Sequence, residues 1–163
     1  MLHHRLTQIS TETGQVISVH YSGDDGQEGR AKPLCTASTV PAKPELDTAE
    51  CYPVSWTPEF SKDPILDYFH KYVVTEVDVA DRSATSPSRV TTYTYLGDPA
   101  WHFDDNEVVK PKNRSYGQFR GYGTVQTRTG NPNSTSNGAA DKWTLSTATY
   151  FRGMNADRLP GGD

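Results

Sequence analysis

The fold is decided by the stretch YVVTEVDV, residues 72–79, whose side chains are assigned alternately to two faces. The residues of one face are Val73, Thr75, Val77 and Val79. A period of two predicts a half-buried β-strand. A polar turn follows, and residues 90–95, VTTYTY, are again all β-forming residues. The two stretches therefore predict an antiparallel hairpin with a long tip.

Further strands are predicted on both sides of this hairpin. Residues 5–10 and 15–21 have the composition of two strands, and Gly14 between them can take the positive φ that closes a short hairpin. Residues 143–152 alternate as a strand does. Residues 116–129 contain three closely spaced glycines, which mark bends, bulges or close backbone approach in a strand. The predicted fold class is therefore all-β, built from antiparallel hairpins.

The chain is predicted to form a single segment, residues 1–163, with four successive parts. These parts are a hairpin at 1–21, a loop-rich insertion at 22–64, a β-meander at 65–158 and a flexible tail at 159–163. The insertion is rich in Gly and Pro, and loops of this length are usually functional or cover another part of the protein. No segment has a convincing helical period, although residues 64–72 have room for one short helical turn.

The composition excludes several classes of partner. The chain carries 16 basic and 20 acidic residues, a net charge of −4, whereas nucleic-acid-binding proteins carry a basic patch. No apolar run is long enough to cross a membrane, and the first residues lack the pattern of a signal peptide. Leu, Ile, Val and Phe number only 28 of 163 residues, which favours thin sheets over a thick core. We therefore expect no nucleic acid, no membrane insertion and no cofactor.

The two cysteines, Cys35 and Cys51, flank a stretch that contains Pro41 and Pro44 and shows little periodicity. A disulfide would staple this loop and stabilise the fold by about 3 kcal/mol. The spacing does not match CxxC, and no suitably placed His suggests a metal or redox site. A bridge is the favoured interpretation, with two buried free thiols or one reactive thiol as alternatives. A bridge would require an oxidising compartment.

The densest group of polar side chains is Asp104-Asp105-Asn106-Glu107. Four consecutive oxygen-bearing residues suggest a calcium site, because Ca²⁺ takes six to eight oxygen ligands. The alternating Asp pattern of a calcium loop is absent, however, and carboxylates that cap their own turn are the simpler interpretation. Both interpretations remain open on the sequence, and no residue is predicted to bind another metal.

Aromatic residues suggest a second kind of site. Trp56 and Trp101 are candidates for a sugar-stacking platform, although aromatic ladders between neighbouring strands are the favoured interpretation. No catalytic residues are predicted, because the chain has neither a Gly-x-Ser-x-Gly motif nor a carboxylate pair selected by spacing. Two alternatives to a structural role remain: an extracellular carbohydrate-binding β-sandwich module and a fragment of a secreted glycosidase.

Several stretches, in their order along the chain, resemble the YD-repeat proteins of the Rhs family. Residues 5–16 are similar to the strand, Gly-containing turn and strand of one repeat unit. Tyr21 stands where the family has its repeat tyrosine, but Ser22 replaces the aspartate that usually follows. The other similar stretches are Cys35, 51–58, 90–106, 119–123 and 150–154, the last three being of the actinobacterial type. The resemblance covers most of the chain except 24–33 and 130–140.

This resemblance implies a structural role. Rhs proteins are large secreted or cell-surface proteins whose repeats coil into a hollow β-shell around a C-terminal toxin. The chain would then be one stretch of the shell wall, and its partners would be neighbouring YD repeats and the enclosed toxin domain. The family's autoprotease motif is not present, so no catalytic residues carry over.

Overall fold

The computed structural model describes residues 5–23, 35, 38–82, 87–131, 135–136, 139–140, 142–154 and 157. The strands within these ranges are β1 (Gln8–Ser10), β2 (Gln15–Tyr21), β3 (Cys51–Trp56), β4 (Ile65–His70), β5 (Val74–Asp81), β6 (Arg89–Leu96), β7 (Ala100–His102), β8 (Gln118–Gly121), β9 (Thr124–Gly130), β10 (Thr135–Ser136), β11 (Ala139–Ala140) and β12 (Thr144–Thr149). Helix is limited, in this part of the chain, to single 3₁₀ turns at Pro44–Leu46 and Pro111–Asn113. Every strand pairing is antiparallel, so the predicted all-β class is confirmed. The predicted tail at 159–163 lies outside the described residues.

The backbone divides into two compact units, and each is made of three separate chain segments. The first, which we call the sheet unit, contains Met1–Gly29, Val73–Leu96 and Thr124–Thr149. The second, which we call the disulfide unit, contains Arg30–Tyr72, Gly97–Gly123 and Tyr150–Asp163. The chain therefore alternates between the units, and each insertion between two parts of the sheet unit belongs to the disulfide unit. The assignment of residues 1–163 to one shell segment stays a prediction.

The sheet unit contains a six-stranded sheet in the order β1-β2-β5-β6-β9-β12. Its strands form three hairpins that follow one another in chain order: β1–β2, β5–β6 and β9–β12. The predicted hairpin of residues 72–79 and 90–95 is confirmed as β5–β6, in which Val77 lies opposite Thr91. Gly14 has a φ of 86° and closes the first hairpin, as its sequence position predicts.

The disulfide unit contains two further hairpins, β3–β4 and β7–β8. The expected helical turn at 64–72 is wrong, because most of this stretch is strand β4. Its register with β3 places Phe69 opposite Tyr52 and Ile65 opposite Trp56. Cross-strand packing of aromatic and aliphatic side chains therefore overrides a local pattern that is ambiguous by itself. Strand β3 also gives regular structure to the end of the predicted insertion at 22–64.

Gly121 ends strand β8 with a φ of 73°, which an L side chain rarely adopts. The stretch 116–129 is consequently two strands, β8 and β9, rather than one. The glycine signal in this stretch thus marks a bend, as the sequence predicts.

The buried apolar side chains are unevenly shared between the units. Among the described residues of the sheet unit, Val16 and Val90 are the only apolar side chains that are less than a tenth exposed. The disulfide unit buries Cys51, Ala100, Trp101 and Tyr122 to the same extent. The most completely packed part of the chain, and its buried acids, therefore lie in the disulfide unit.

Candidate functional site around Trp101

The candidate site is a buried cluster in the disulfide unit, carried by the two hairpins β3–β4 and β7–β8. Alternation along β3 turns Cys51 and Pro53 inward, and both are fully buried. Strand β7 contributes Trp101, which lies opposite Phe119 of β8. A bulge between Ala100 and Trp101 shifts the register of this pair of strands. Period-two alternation, interrupted once by the bulge, thus decides which side chains meet.

The centre of the cluster is the indole of Trp101, which is only 6% exposed. Its ring stacks on Tyr52 with centroids 5.7 Å apart and packs against Phe119 at 5.0 Å. Its Nε1–H donates to the carbonyl oxygen of Ala49 at 3.2 Å. The ring is therefore packed and its single polar group is satisfied, as buried tryptophans require.

This packing bears directly on the proposed sugar platform. Trp101 is not available to stack on a sugar in this structure, because protein rings already occupy the space around it. Trp56 is 39% exposed, and its ring packs against Phe69 in an edge-type geometry with ring centroids 6.3 Å apart. The structure joins Trp56 and Trp101 through Phe69 and Tyr52. The two tryptophans therefore belong to one aromatic network, which is the ladder interpretation.

The disulfide between Cys35 and Cys51 is confirmed, with Cα atoms 6.0 Å apart. Neither thiol is free, so the alternatives of two free thiols and of one reactive thiol are wrong. The carbonyl oxygen of Cys35 lies 3.0 Å from His70 Nε2, and His70 Nδ1 lies 3.0 Å from the Tyr72 hydroxyl. The bridge and this contact together fasten residue 35 to the end of strand β4.

Two acids, Asp47 and Glu50, are buried beside the disulfide and are 8% and 2% exposed. Glu50 Oε1 accepts a 2.6 Å hydrogen bond from the hydroxyl of Tyr122. Asp47 Oδ1 accepts from the backbone N–H of Ala49 at 2.9 Å and lies 3.9 Å from the sulfur of Cys51. Each carboxylate has a second oxygen that is buried and finds no hydrogen-bond donor among the described residues. Burying a charge without full pairing is costly, so this environment disfavours the charged form of Asp47.

Burial raises the pKa of Asp47 to about 6, although the hydrogen bond from Ala49 opposes the rise. The pKa of Tyr68 is also raised, first by burial and then by the negative charges of Asp47 and Glu45. Burial of the titrating group itself is therefore the first cause of both pKa shifts.

The raised pKa of Asp47 predicts an unusual dependence of stability on pH. A folded-state pKa above the unfolded value means that this group's contribution to stability is fully present below about pH 4 and is lost as the pH rises through about 6. A shift of about two units corresponds to roughly 3 kcal/mol. We therefore expect Asp47→Asn to be more stable than the wild type at pH 7, by up to this amount, and about equally stable at pH 4.

Urea unfolding of both proteins at pH 4 and pH 7 measures this difference. Glu45→Gln is the control, because Glu45 is an acid of the same segment that is only half-buried. A stability difference between Asp47→Asn and wild type that is the same at both pH values would contradict the expectation.

In the acidic stretch Asp104–Glu107, side chains accept hydrogen bonds from backbone N–H groups of the same turn. Asp104 Oδ1 accepts from the N–H of Asn106 at 3.0 Å, and Asn106 Oδ1 accepts from the N–H of Val108 at 3.0 Å. Asp104 also accepts from the amide of Gln118 at 3.3 Å. Asp105 and Glu107 are exposed. These bonds are those of self-capping carboxylates, and the described residues contain no group of three metal-ligating acids, histidines or cysteines.

A shallow cleft of about 280 Å³ lies beside this turn, between β3 and the segment that leads into β8. Asp104 is its charged lining residue, and Ser55, Asn113, Ser115 and Gln118 are among its uncharged polar lining residues. Asp104 already accepts hydrogen bonds from Asn106 and Gln118. The buried acids Asp47 and Glu50 do not line it.

Sequence reasoning missed several members of the site. Asp47, Glu50 and Tyr122 lie in segments without periodicity, and nothing in their spacing links residue 50 to residue 122. It also missed the pair of His102 and Asp157, whose Nδ1 and Oδ2 atoms are 3.0 Å apart. Asp157 Oδ1 additionally accepts from the backbone N–H of Phe103 at 3.5 Å. These contacts join distant parts of the chain, so only the folded structure brings them together.

Comparison with protein-family models, curated proteins and solved structures found no match to the chain. In the described residues, no helix is long and apolar enough to span a membrane. The site is an aromatic cluster, cross-linked by the disulfide, beside two acids that are 8% and 2% exposed.

Proposed function

We propose that the chain is a structural wall segment of a secreted or cell-surface β-shell of the Rhs type, which encloses an effector domain. The observation that carries the proposal is the six-stranded sheet, assembled from three hairpins in chain order. Tandem hairpins that stack side by side are the expected unit of a repeat protein, in which each unit relies on its neighbours.

The faces of this sheet support the same proposal. The register places Ile17 opposite Val79 and Val19 opposite Val77, so these side chains share one face. The apolar members of this face are Ile9, Ile17, Val19, Val77, Val79, Tyr93, Tyr95, Val125 and Ala148. Ile9 is 40% exposed, the others are half-buried, and none is fully buried. A coherent apolar face that is only partly covered gains about 25 cal/mol for each further Å² that a neighbouring layer buries.

The disulfide supports the proposed location. Structural disulfides persist in oxidising compartments, such as the cell exterior, and the bridge here closes a loop that has only a single 3₁₀ turn among its described residues. Secretion or display at the cell surface is therefore part of the proposal. In it, neighbouring YD repeats cover the half-buried apolar face of the sheet, and the closed wall separates the effector from solvent.

A finished domain and a wall segment differ in how the isolated chain behaves. We expect the oxidised 163-residue chain to bind the dye ANS in its native state, and to unfold with a free energy below about 5 kcal/mol, the lower end for complete domains. Val77→Thr, on the apolar face, should reduce the dye fluorescence and cost less than about 1 kcal/mol, because its hydroxyl can reach water.

Val16→Thr is the matched control, because Val16 is 7% exposed and lies on the other face. This variant should lower the free energy of unfolding by about 1–3 kcal/mol, since the new hydroxyl is buried, and it should not reduce dye binding. A native chain that binds no dye and unfolds well above 5 kcal/mol would overturn the wall proposal. The gene provides an independent test, because the proposal requires tandem strand–turn–strand units encoded next to these residues.

A further inference from the structure

Strand β12 forms one edge of the six-stranded sheet and pairs with β9 on its inner side. Five of its six side chains are exposed, including Leu145 at 53%. The opposite edge of the sheet, β1, is only three residues long. Short edge strands are a common protection against unwanted pairing, so the long edge is the one that can accept another strand.

The hydrogen-bonding pattern of β12 shows which of its backbone N–H and C=O groups point away from β9. The N–H of Tyr150 donates to the carbonyl oxygen of Gly123 at 2.9 Å, one step beyond the paired residues Thr149 and Thr124. Hydrogen-bonded and non-bonded positions alternate in an antiparallel pair. The residues whose N–H and C=O groups point away from β9 are therefore Leu145, Thr147 and Thr149.

The sequence of β12, TLSTAT, lacks the usual protection of an exposed edge. It contains no charged residue, no Pro and no Gly, whereas natural edges are commonly blocked by Lys, Pro or a bulge. Segments with low charge and without Pro are among the sequences most prone to strand pairing. The long edge is therefore open to pairing with another strand.

We propose that β12 pairs with β12 of a second copy of this chain, antiparallel and centred on Thr147. In that register Thr147 faces its own counterpart, and Leu145 faces Thr149 of the second copy. The outward groups of both copies then meet in about six backbone hydrogen bonds. No like charges oppose one another along the strand, because β12 carries none. A two-fold axis of this kind makes a closed dimer with one continuous sheet. The inference concerns the edge of the sheet and goes beyond the proposed wall function.

Sedimentation of the full oxidised chain over a range of concentrations tests the inference. The wild type should dimerise reversibly, and Thr147→Lys should weaken the dimer about tenfold or more, because two lysines would face each other directly. Thr147 is exposed, so this change leaves the fold intact. Thr147→Val is the control, since it keeps the backbone groups and adds no charge, and should dimerise like the wild type.

The register has its own test in a charge-swap experiment. Thr147→Lys and Thr147→Glu should each dimerise poorly alone, and an equimolar mixture should form a heterodimer. A wild-type monomer at all concentrations, association that Thr147→Lys leaves unchanged, or a mixture without heterodimer would each overturn the inference. A monomer that binds ANS would overturn the dimer inference and leave the wall proposal standing. A Thr147-dependent dimer that binds no dye and unfolds well above 5 kcal/mol would support the dimer inference and overturn the wall proposal.

Discussion

Trp101→Ala is expected to lower the free energy of unfolding by about 3–5 kcal/mol, the range for removal of a buried large aromatic residue. The indole is 6% exposed and packs between Tyr52 and Phe119, so the truncated side chain would leave a cavity lined by rings. The carbonyl oxygen of Ala49 would also lose its donor. Together these losses make Trp101 the side chain of the disulfide unit with the largest expected effect.

Near-ultraviolet circular dichroism measures this loss, because that signal reports the packing of aromatic rings. Since the whole chain is expected to unfold with less than about 5 kcal/mol, Trp101→Ala should lose most of this signal without urea, and urea unfolding measures the stability that is left. Trp56→Ala is the matched control: Trp56 is 39% exposed, so its replacement should cost less than about 2 kcal/mol. Equal costs for the two variants would mean that Trp101 is not the centre of the cluster. Binding of a glycan that Trp101→Ala abolishes without loss of stability would instead revive the sugar-platform hypothesis.

Reduction of the bridge between Cys35 and Cys51 is expected to destabilise the chain by about 3 kcal/mol, which is roughly 10 °C in melting temperature for a chain of this size. The bridge closes a loop of sequence separation 16 and has its inner sulfur fully buried. The loop it closes contains the buried acids Asp47 and Glu50. Loss of the bridge therefore frees the segment that positions both carboxylates.

Thermal melts of the wild type with and without a reducing agent measure the effect. The double variant Cys35→Ala/Cys51→Ala should melt close to the reduced wild type and should not respond to the reducing agent. If reduction leaves the melting temperature of the wild type unchanged, the bridge does not restrain the unfolded chain as expected.

Much of the sheet unit is visible in local sequence patterns. The period of two in residues 72–79 predicts a half-buried strand, and β5 is such a strand, with all eight of its residues half-buried. Gly14 predicts the first hairpin, because few other residues take its φ of 86°. Such features succeed because period-two side-chain alternation and glycine turns are properties of the backbone within a few residues.

The irregular segments are less predictable for the opposite reason. Strand β4 is hard to see in residues 64–72, because its partner β3 supplies the contacts that favour it. The disulfide is inferable from two cysteines and a Pro-containing loop, but the environment of Cys51 is not. Whether an aromatic residue is a platform or a core residue also depends on packing, as Trp101 and Trp56 demonstrate.

The sequence alone determines that this protein is an antiparallel all-β chain and favours a disulfide without deciding it, because strand periodicity, turn residues and cysteine spacing act over short distances. Only the tertiary structure decides that the two insertions meet in a second unit, that Tyr122 reaches Glu50 across 72 residues, and that β12 is left at an edge. These are long-range pairings, selected by burial and by satisfaction of polar groups in the whole fold, and no local pattern encodes them.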